Sequence, residues 1–254
     1  MMVEVRRHFH EQLAELESVI QRMGTASRTL FQRALDTVAS DDVAECDAVI
    51  AGDDEVDAFY LEIERGVVEL FALQGPVASD LRFLATLLHI NLHLERVADM
   101  GVNVAKIARA AHGLPHNPTV LGHLKDMGAI ALTMLSTAME ALERRDVGLA
   151  RELPSMDEPL DELNRGMLAE VLMESTSRGM LEWGINMHVV SRQIERVGDH
   201  AVDIGEQVAY LVTGAFQEFT DASHPEVEEA AKLTEVSRAA RSNGEEPAGD
   251  PDER

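Results

Sequence analysis

The chain has a single cysteine, Cys46, and few aromatic residues, which make up 4% of its 254 positions. One cysteine excludes an intramolecular disulfide and a Cys-rich zinc site. No stretch approaches the roughly 18 uncharged residues of a membrane span. The N-terminus, MMVEVRRHFHEQLAEL, is amphipathic and lacks the continuous apolar run of a signal peptide. We therefore expect a cytoplasmic protein with no direct membrane insertion.

Basic residues are also scarce, with 22 Lys and Arg against 46 Asp and Glu, a formal net charge of −24. Nucleic-acid binding needs a basic surface, so this balance argues against a nucleic-acid partner. It argues equally against adsorption to anionic lipid. Basic protein surfaces and bound cations are the more natural partners.

Sustained two-residue alternation of apolar and polar positions is absent, which excludes a strand-rich fold. Apolar residues instead recur at three- and four-residue steps, as in the series from Phe9 to Met23, and predict helices. Breaks are expected at Ser40-Asp41-Asp42, at Gly75-Pro76 and in the linker 112–118. Gly52 is a weak point inside the second helix. The sequence predicts an all-α protein.

One seven-residue phrase occurs twice, one hundred positions apart. The first copy is Glu95-Arg96-Val97-Ala98-Asp99-Met100-Gly101 and the second is Glu195-Arg196-Val197-Gly198-Asp199-His200-Ala201. Each copy places two carboxylates at i and i+4, on one face of a helix. Like charges at that spacing repel by a few tenths of a kcal/mol unless a cation compensates them. The repeated repulsion indicates a function, and a hard metal cation is the first candidate.

The two halves align beyond this phrase, because Asp53 and Asp57 match Asp157 and Asp161. Each half is therefore predicted to be a three-helix bundle with one acidic pair on its second helix and one on its third. Short connections favour antiparallel neighbours. The predicted domains are 1–113, 118–217 and a mostly disordered acidic tail, 218–254.

If the second and third helices adjoin, four carboxylates converge in each half. The candidate metal ligands are Asp53, Asp57, Glu95, Asp99, Asp157, Asp161, Glu195, Asp199 and Asp203. Asn103 is the counterpart of Asp203, so the two sites need not be equivalent. Oxygen ligands at this density suit iron, magnesium, manganese or calcium, and zinc less specifically.

A simpler interpretation of these residues stays open. Glu95 and Glu195 can pair with neighbouring arginines on the helix surface, and Asp53 and Asp157 can act as N-caps. His89 and His93 have the spacing of a metal pair but lie away from Glu95 around the helix, so a packing role is favoured for them. His200 is expected to point about 100° away from Asp199. The chain contains no Gly-rich phosphate loop, nucleophile elbow or zinc motif.

The stretch 74–82, Gln-Gly-Pro-Val-Ala-Ser-Asp-Leu-Arg, followed by the phrase at 95–99, resembles the signature of the PhoU family. The resemblance covers both repeats, to about Phe216. It implies two three-helix bundles with pseudo-two-fold symmetry, often as homodimers. It also implies multinuclear metal sites on the acid-x-x-x-Asp pairs. Gly75 departs from the family pattern, and Pro154 and Pro159 are expected to interrupt the second repeat's middle helix.

By this resemblance, the expected function is that of an adaptor and not of an enzyme. Such an adaptor restrains phosphate uptake and the phosphate-starvation response by coupling a phosphate ABC transporter, through its ATPase, to a sensor histidine kinase. The alternative from a different class is a metal-dependent phosphatase or oxidase that uses the clustered carboxylates. It ranks lower, because no separate catalytic constellation is visible.

Overall fold

The computed structural model describes residues 2–219, and within that range the chain forms α-helices and no strand. The helices are α1 (Met2–Ser40), α2 (Val43–Ala51), α3 (Asp53–Gln74), α4 (Ser79–Ala110), α5 (Pro118–Arg144), α6 (Val147–Glu174) and α7 (Arg178–Thr213). None of the helices in this range has the length and apolar character needed to cross a membrane. The all-α prediction is confirmed.

Aspartate side chains cap the N-termini of two helices. The side chain of Asp42 accepts hydrogen bonds from the backbone of Ala44 and Glu45 and so caps α2. Asp146 caps α6 in the same way. A side-chain cap satisfies backbone N–H groups that have no partner in the first turn of a helix. The weak point at Gly52 becomes a real break between α2 and α3.

Two three-helix units follow one another along the chain. The first consists of α1, the split helix α2–α3, and α4, and the second of α5, α6 and α7. Contacts of α4 with α7 and of α1 with α5 join the two units. Their buried apolar side chains form one continuous core, with Phe31 and Trp183 among its largest members. The domain boundaries predicted from the sequence stay predictions, and positions 220–254 of the expected tail lie outside the described residues.

The expectation that prolines interrupt the second repeat's middle helix is wrong. Both Pro154 and Pro159 lie inside α6, which runs unbroken. A proline in a helix interior normally costs about 3 kcal/mol. Here, tertiary packing supplies the compensation, since Leu153 and Leu160 on either side are fully buried against the rest of the core.

Glycines on α7 allow α6 to lie close to it. A Cβ atom on Gly205 would lie 2.5 Å from Cδ1 of Leu153, and one on Gly198 would lie 2.6 Å from Cδ2 of Leu160. Neither position has room for a larger residue unless a neighbour moves. The close approach brings the acidic residues of α6 against α7.

Candidate metal centre: two carboxylate clusters and a histidine pair

The first carboxylate cluster lies where α3 packs against α4. Burial, and after it the charges of Asp57 and Asp99, raises the pKa of Asp53. Burial and the charge of Asp99 likewise raise the pKa of Glu95, with smaller contributions from Asp57 and Asp53. Since the charges of Asp57 and Asp99 act on both Asp53 and Glu95, the four carboxylates of the two helices lie near one another.

Arg96 borders this cluster. Its Nη1 atom donates a hydrogen bond to Oδ2 of Asp99 at 3.1 Å, and its Nε atom lies 3.4 Å from Oε2 of Glu95. The ion pair expected for Glu95 under the simpler interpretation therefore exists. Oε2 of Glu95, the oxygen that faces Arg96, is buried and accepts no hydrogen bond from the described residues, so the ion pair leaves its hydrogen-bonding capacity unused. A buried carboxylate oxygen with that spare capacity fits a metal ligand.

The second cluster lies at the corresponding junction of α6 and α7. Oδ1 of Asp157 lies over Gly198. Asp161 contacts Arg165 through a 3.6 Å ion pair. Burial raises the pKa of Glu195, and the charge of Asp161 adds to this effect against the opposing charge of Arg192. Carboxylates from two helices thus influence one another in this half as well.

Asp199 is the most strongly perturbed carboxyl group of the second cluster. Desolvation of its carboxyl group, followed by the charges of Glu195 and Asp161, raises its pKa to about 6. The residue as a whole remains exposed, so solvent screens part of the repulsion between this carboxylate and its neighbours. A carboxyl group that holds its proton this strongly lies among excess negative charge, which a bound cation would relieve.

The N-cap interpretation of Asp53 and Asp157 is wrong. Gly52, not Asp53, occupies the N-cap of α3, and it makes no side-chain capping bond. Asp157 lies ten residues after the first residue of α6, whose cap is Asp146. Both aspartates are therefore placed by the helix packing that forms the clusters.

Asp203, which was predicted to extend the acidic pair of Glu195 and Asp199, also lies beside two histidines. Its Oδ2 atom is 3.4 Å from Nδ1 of His93 and 3.4 Å from Nδ1 of His200. The two Nδ1 atoms lie 3.2 Å from one another, although the residues are 107 positions apart. Burial lowers the pKa of His93, against the opposing charge of Asp203. Sequence reasoning assigned His93 to packing and so missed this group, because the crossing of α4 over α7 cannot be read from helical periodicity.

The carboxylate clusters have the chemistry of hard-cation sites. Their donors are oxygens, which suit iron(III), magnesium, manganese and calcium. In the first half, Asp53, Asp57, Glu95 and Asp99 would hold the ion. In the second half, Asp157, Asp161, Glu195 and Asp199 would do so. A cation there neutralises the mutual repulsion and ties the second helix of each unit to the third.

Together, the fold and these clusters define a class of protein: an all-helical, two-repeat chain with matched carboxylate groups at corresponding helix junctions. The family model of the PhoU domain matches this chain at residues 20–108 and 124–208, once in each repeat. The chain therefore belongs to the PhoU family.

Similar proteins align with more than four-fifths of this chain. The phosphate-specific transport system accessory protein PhoU homolog 2 of Mycobacterium tuberculosis (strain ATCC 25618 / H37Rv) is 29% identical over 215 residues, 84% of this chain and 100% of that protein. Homolog 1 of the same strain is 30% identical over 213 residues, covering 83% and 95%. These relatives are named as accessory proteins and not as enzymes.

Solved structures show the same fold. The crystal structure of PhoU from Pseudomonas aeruginosa matches with a TM-score of 0.77 and 26% identity, over 82% of this chain and 100% of that one. The phosphate transport system regulatory protein PhoU from Streptococcus pneumoniae matches with a TM-score of 0.75 and 25% identity, over 82% and 99%. The fold predicted from the sequence is thereby confirmed by comparison.

Proposed function

We propose that this protein is a cytoplasmic negative regulator of phosphate uptake and of the phosphate-starvation response. It acts as an adaptor between the ATPase of a phosphate ABC transporter and a sensor histidine kinase, and it works as a homodimer. The observation that carries the proposal is the match, across both repeats, to accessory proteins of phosphate-specific transport systems. When phosphate is plentiful, the adaptor holds the kinase in its inhibitory state.

Exposed apolar side chains support a role in protein binding. On α6, Leu168 and Leu172 lie one turn apart and are 45% and 59% exposed. On the adjoining α7, Ile185 and Val189 lie one turn apart and are 51% and 41% exposed. Contiguous patches of exposed apolar surface are characteristic of sites that bind other proteins. We assign these two helix faces to the contact with the kinase or the transporter ATPase.

The carboxylate clusters supply rigidity in this proposal. A cation on each cluster removes repulsion between the second and third helices of its unit and fixes the surface that they present. Loss of the cation loosens α4 and α7. The metal thus has a structural role, and no catalytic step is assigned to it.

Genetic and biochemical tests address the adaptor role. Deleting the gene from its host should raise phosphate uptake, and the output of the starvation response, in phosphate-replete medium. The full chain should also retain the cytoplasmic region of the sensor kinase in a pull-down. A double Ile185→Ser, Val189→Ser variant should weaken this retention, whereas Leu61→Ser on α3, also an exposed apolar position, serves as the control. Unchanged uptake and unchanged starvation output in the deletion strain would contradict the proposal.

Calorimetric titration tests the carboxylate clusters. Metal-stripped protein should bind Mn²⁺, and a Glu95→Gln, Glu195→Gln variant should bind it more weakly. The matched control is Glu69→Gln, Glu182→Gln, which removes the same charge from one exposed position in each unit, outside the clusters. Equal binding by the wild type and the first variant defeats the metal assignment. Phosphate-ester hydrolysis that depends on Glu95 and Glu195 would favour the enzyme alternative.

A further inference from the structure

The boundary between the two repeats contains a group of side chains that the carboxylate clusters do not include. His93 lies on α4, while His200 and Asp203 lie one turn apart on α7. Nδ1 of His93, Nδ1 of His200 and Oδ2 of Asp203 form a triangle with sides of 3.2, 3.4 and 3.4 Å. We propose that these three residues form a separate site for a divalent transition-metal ion, with Zn²⁺ as the first candidate.

The size of the triangle matches a metal-binding face. Zinc binds imidazole nitrogen at about 2.0–2.1 Å and carboxylate oxygen at about 2.0–2.2 Å, in tetrahedral geometry. Two ligand atoms on a tetrahedron of that size are separated by about 3.3–3.6 Å. The three atoms therefore already stand at the spacing of one tetrahedral face, without any movement of the helices.

The donor set selects the kind of metal. Two imidazole nitrogens and one carboxylate oxygen suit zinc and iron(II), whereas magnesium and calcium take oxygen ligands. The imidazoles are mostly enclosed, with side-chain exposures of 18% for His93 and 17% for His200. Asp203 is 43% exposed, so an ion can enter from its side. The fourth position of the tetrahedron is left for water or another small ligand.

The other side of the same helix crossing provides an internal comparison. The hundred-residue counterparts of His93, His200 and Asp203 are Gln193, Met100 and Asn103. There, Nδ2 of Asn103 donates a hydrogen bond to Oε1 of Gln193 at 3.4 Å. The backbone arrangement is thus used twice, once with a neutral amide pair and once with three metal-binding groups. The neutral pair shows that packing at this crossing does not require ionisable groups.

The position of the site gives the ion a specific effect. The acidic clusters tie helices within one unit, whereas this site ties α4 of the first unit to α7 of the second. An ion that binds the folded chain and not the unfolded one stabilises the fold by mass action. Occupancy of this site therefore fixes the two repeats against each other.

The test uses the full chain, stripped of metal by a chelator. Zn²⁺ is titrated in competition with a chromophoric chelator, and the bound equivalents are compared between the wild type and a His93→Gln, His200→Met, Asp203→Asn variant. These substitutions install the residues that the chain itself carries at the counterpart positions. The Glu95→Gln, Glu195→Gln variant is the matched control. We expect the triple variant to lose one equivalent of Zn²⁺ per chain and the control to keep it.

A second measurement keeps the test decisive if the triple variant folds poorly. X-ray absorption spectroscopy of the wild type, loaded with one equivalent of Zn²⁺, should show two imidazole ligands and a low coordination number. An all-oxygen environment, or equal Zn²⁺ binding by the wild type and a folded triple variant, overturns the site. The two metal sites can fail separately. If Mn²⁺ does not bind the carboxylate clusters but Zn²⁺ still binds here, only the cation assigned to the clusters under the proposed function is refuted.

Discussion

Asp157 packs directly over Gly198: a Cβ atom at position 198 would lie 2.6 Å from Oδ1 of Asp157 and 2.6 Å from Cδ2 of Leu160. The missing side chain is therefore what allows α6 to bring its carboxylate against α7. The first repeat carries Ala98 at the corresponding position, so the two junctions are not packed identically.

Gly198→Ala should lower the stability of the protein by about 1–3 kcal/mol, because the added methyl group must displace the buried Leu160 or the carboxylate. The free energy of unfolding from denaturant titration gives the measurement. Gly166→Ala on α6 is the control, since a Cβ there meets nothing within 4 Å. That control should raise stability by about 0.5–1 kcal/mol through helix propensity. Equal effects at both positions would show that the α6–α7 contact is looser than described.

The stability of the metal-free protein should depend on pH through Asp199. Its pKa in the folded chain is about 6, above the ordinary value of 3.8, so the folded state binds more protons between these two values. Stability from this group is therefore greatest at low pH and falls as pH rises from about 4 to about 6.5. Asp199→Asn removes the titrating group. The free energy of unfolding of this variant, relative to that of the wild type, should therefore rise across that pH range. If the difference in unfolding free energy between the wild type and Asp199→Asn does not change with pH, the raised pKa of Asp199 is contradicted.

Arg145 connects the end of α5 to the first unit. Its Nη2 atom donates to Oε1 of Glu17 at 2.6 Å, and its guanidinium lies 4.8 Å from the centre of the Phe83 ring. Since cation–π contacts and partly exposed ion pairs each contribute up to about 1 kcal/mol, Arg145→Ala should cost about 1–2 kcal/mol. Arg145→Lys should recover only part of it, because lysine lacks the planar fork.

Arg144 offers a matched control for this measurement. Its guanidinium is more exposed and pairs with Glu140 within the same helix. Arg144→Ala should cost about 0.3–0.5 kcal/mol. If both alanine variants unfold at the same denaturant concentration, the contact between the units at Arg145 contributes nothing of its own.

Cations on the carboxylate clusters should protect the helices that carry them. Hydrogen exchange of α4 and α7 should slow when Mn²⁺ is added to the metal-free protein, because neutralised repulsion makes local opening less favourable. Helix α1, which carries none of the cluster residues, is the internal reference. Uniform protection of all helices, or none, would argue against a local role of the ion.

The helices and the repeat were accessible from the sequence because they leave periodic signals. The apolar spacing, the cap at Asp42 and the hundred-residue register can all be read along the chain. The continuity of α6 could not be predicted from the sequence. The low helix propensity of Pro154 and Pro159 is overridden by the burial of Leu153 and Leu160. The approach of His93 to His200 was also hidden, because it depends on where two helices cross. The sequence does contain one signal of this group. At the counterpart positions of Gln193, Met100 and Asn103, the chain carries His93, His200 and Asp203.

Anomalous scattering from a crystal grown with Mn²⁺ tests the central claim most directly, because it locates the ion and its ligands together. The account predicts peaks coordinated by carboxylates of α3 and α4 in the first unit, and by carboxylates of α6 and α7 in the second. A fully ordered crystal of the Mn²⁺-loaded protein with no anomalous peak beside Glu95 or Glu195 would contradict it.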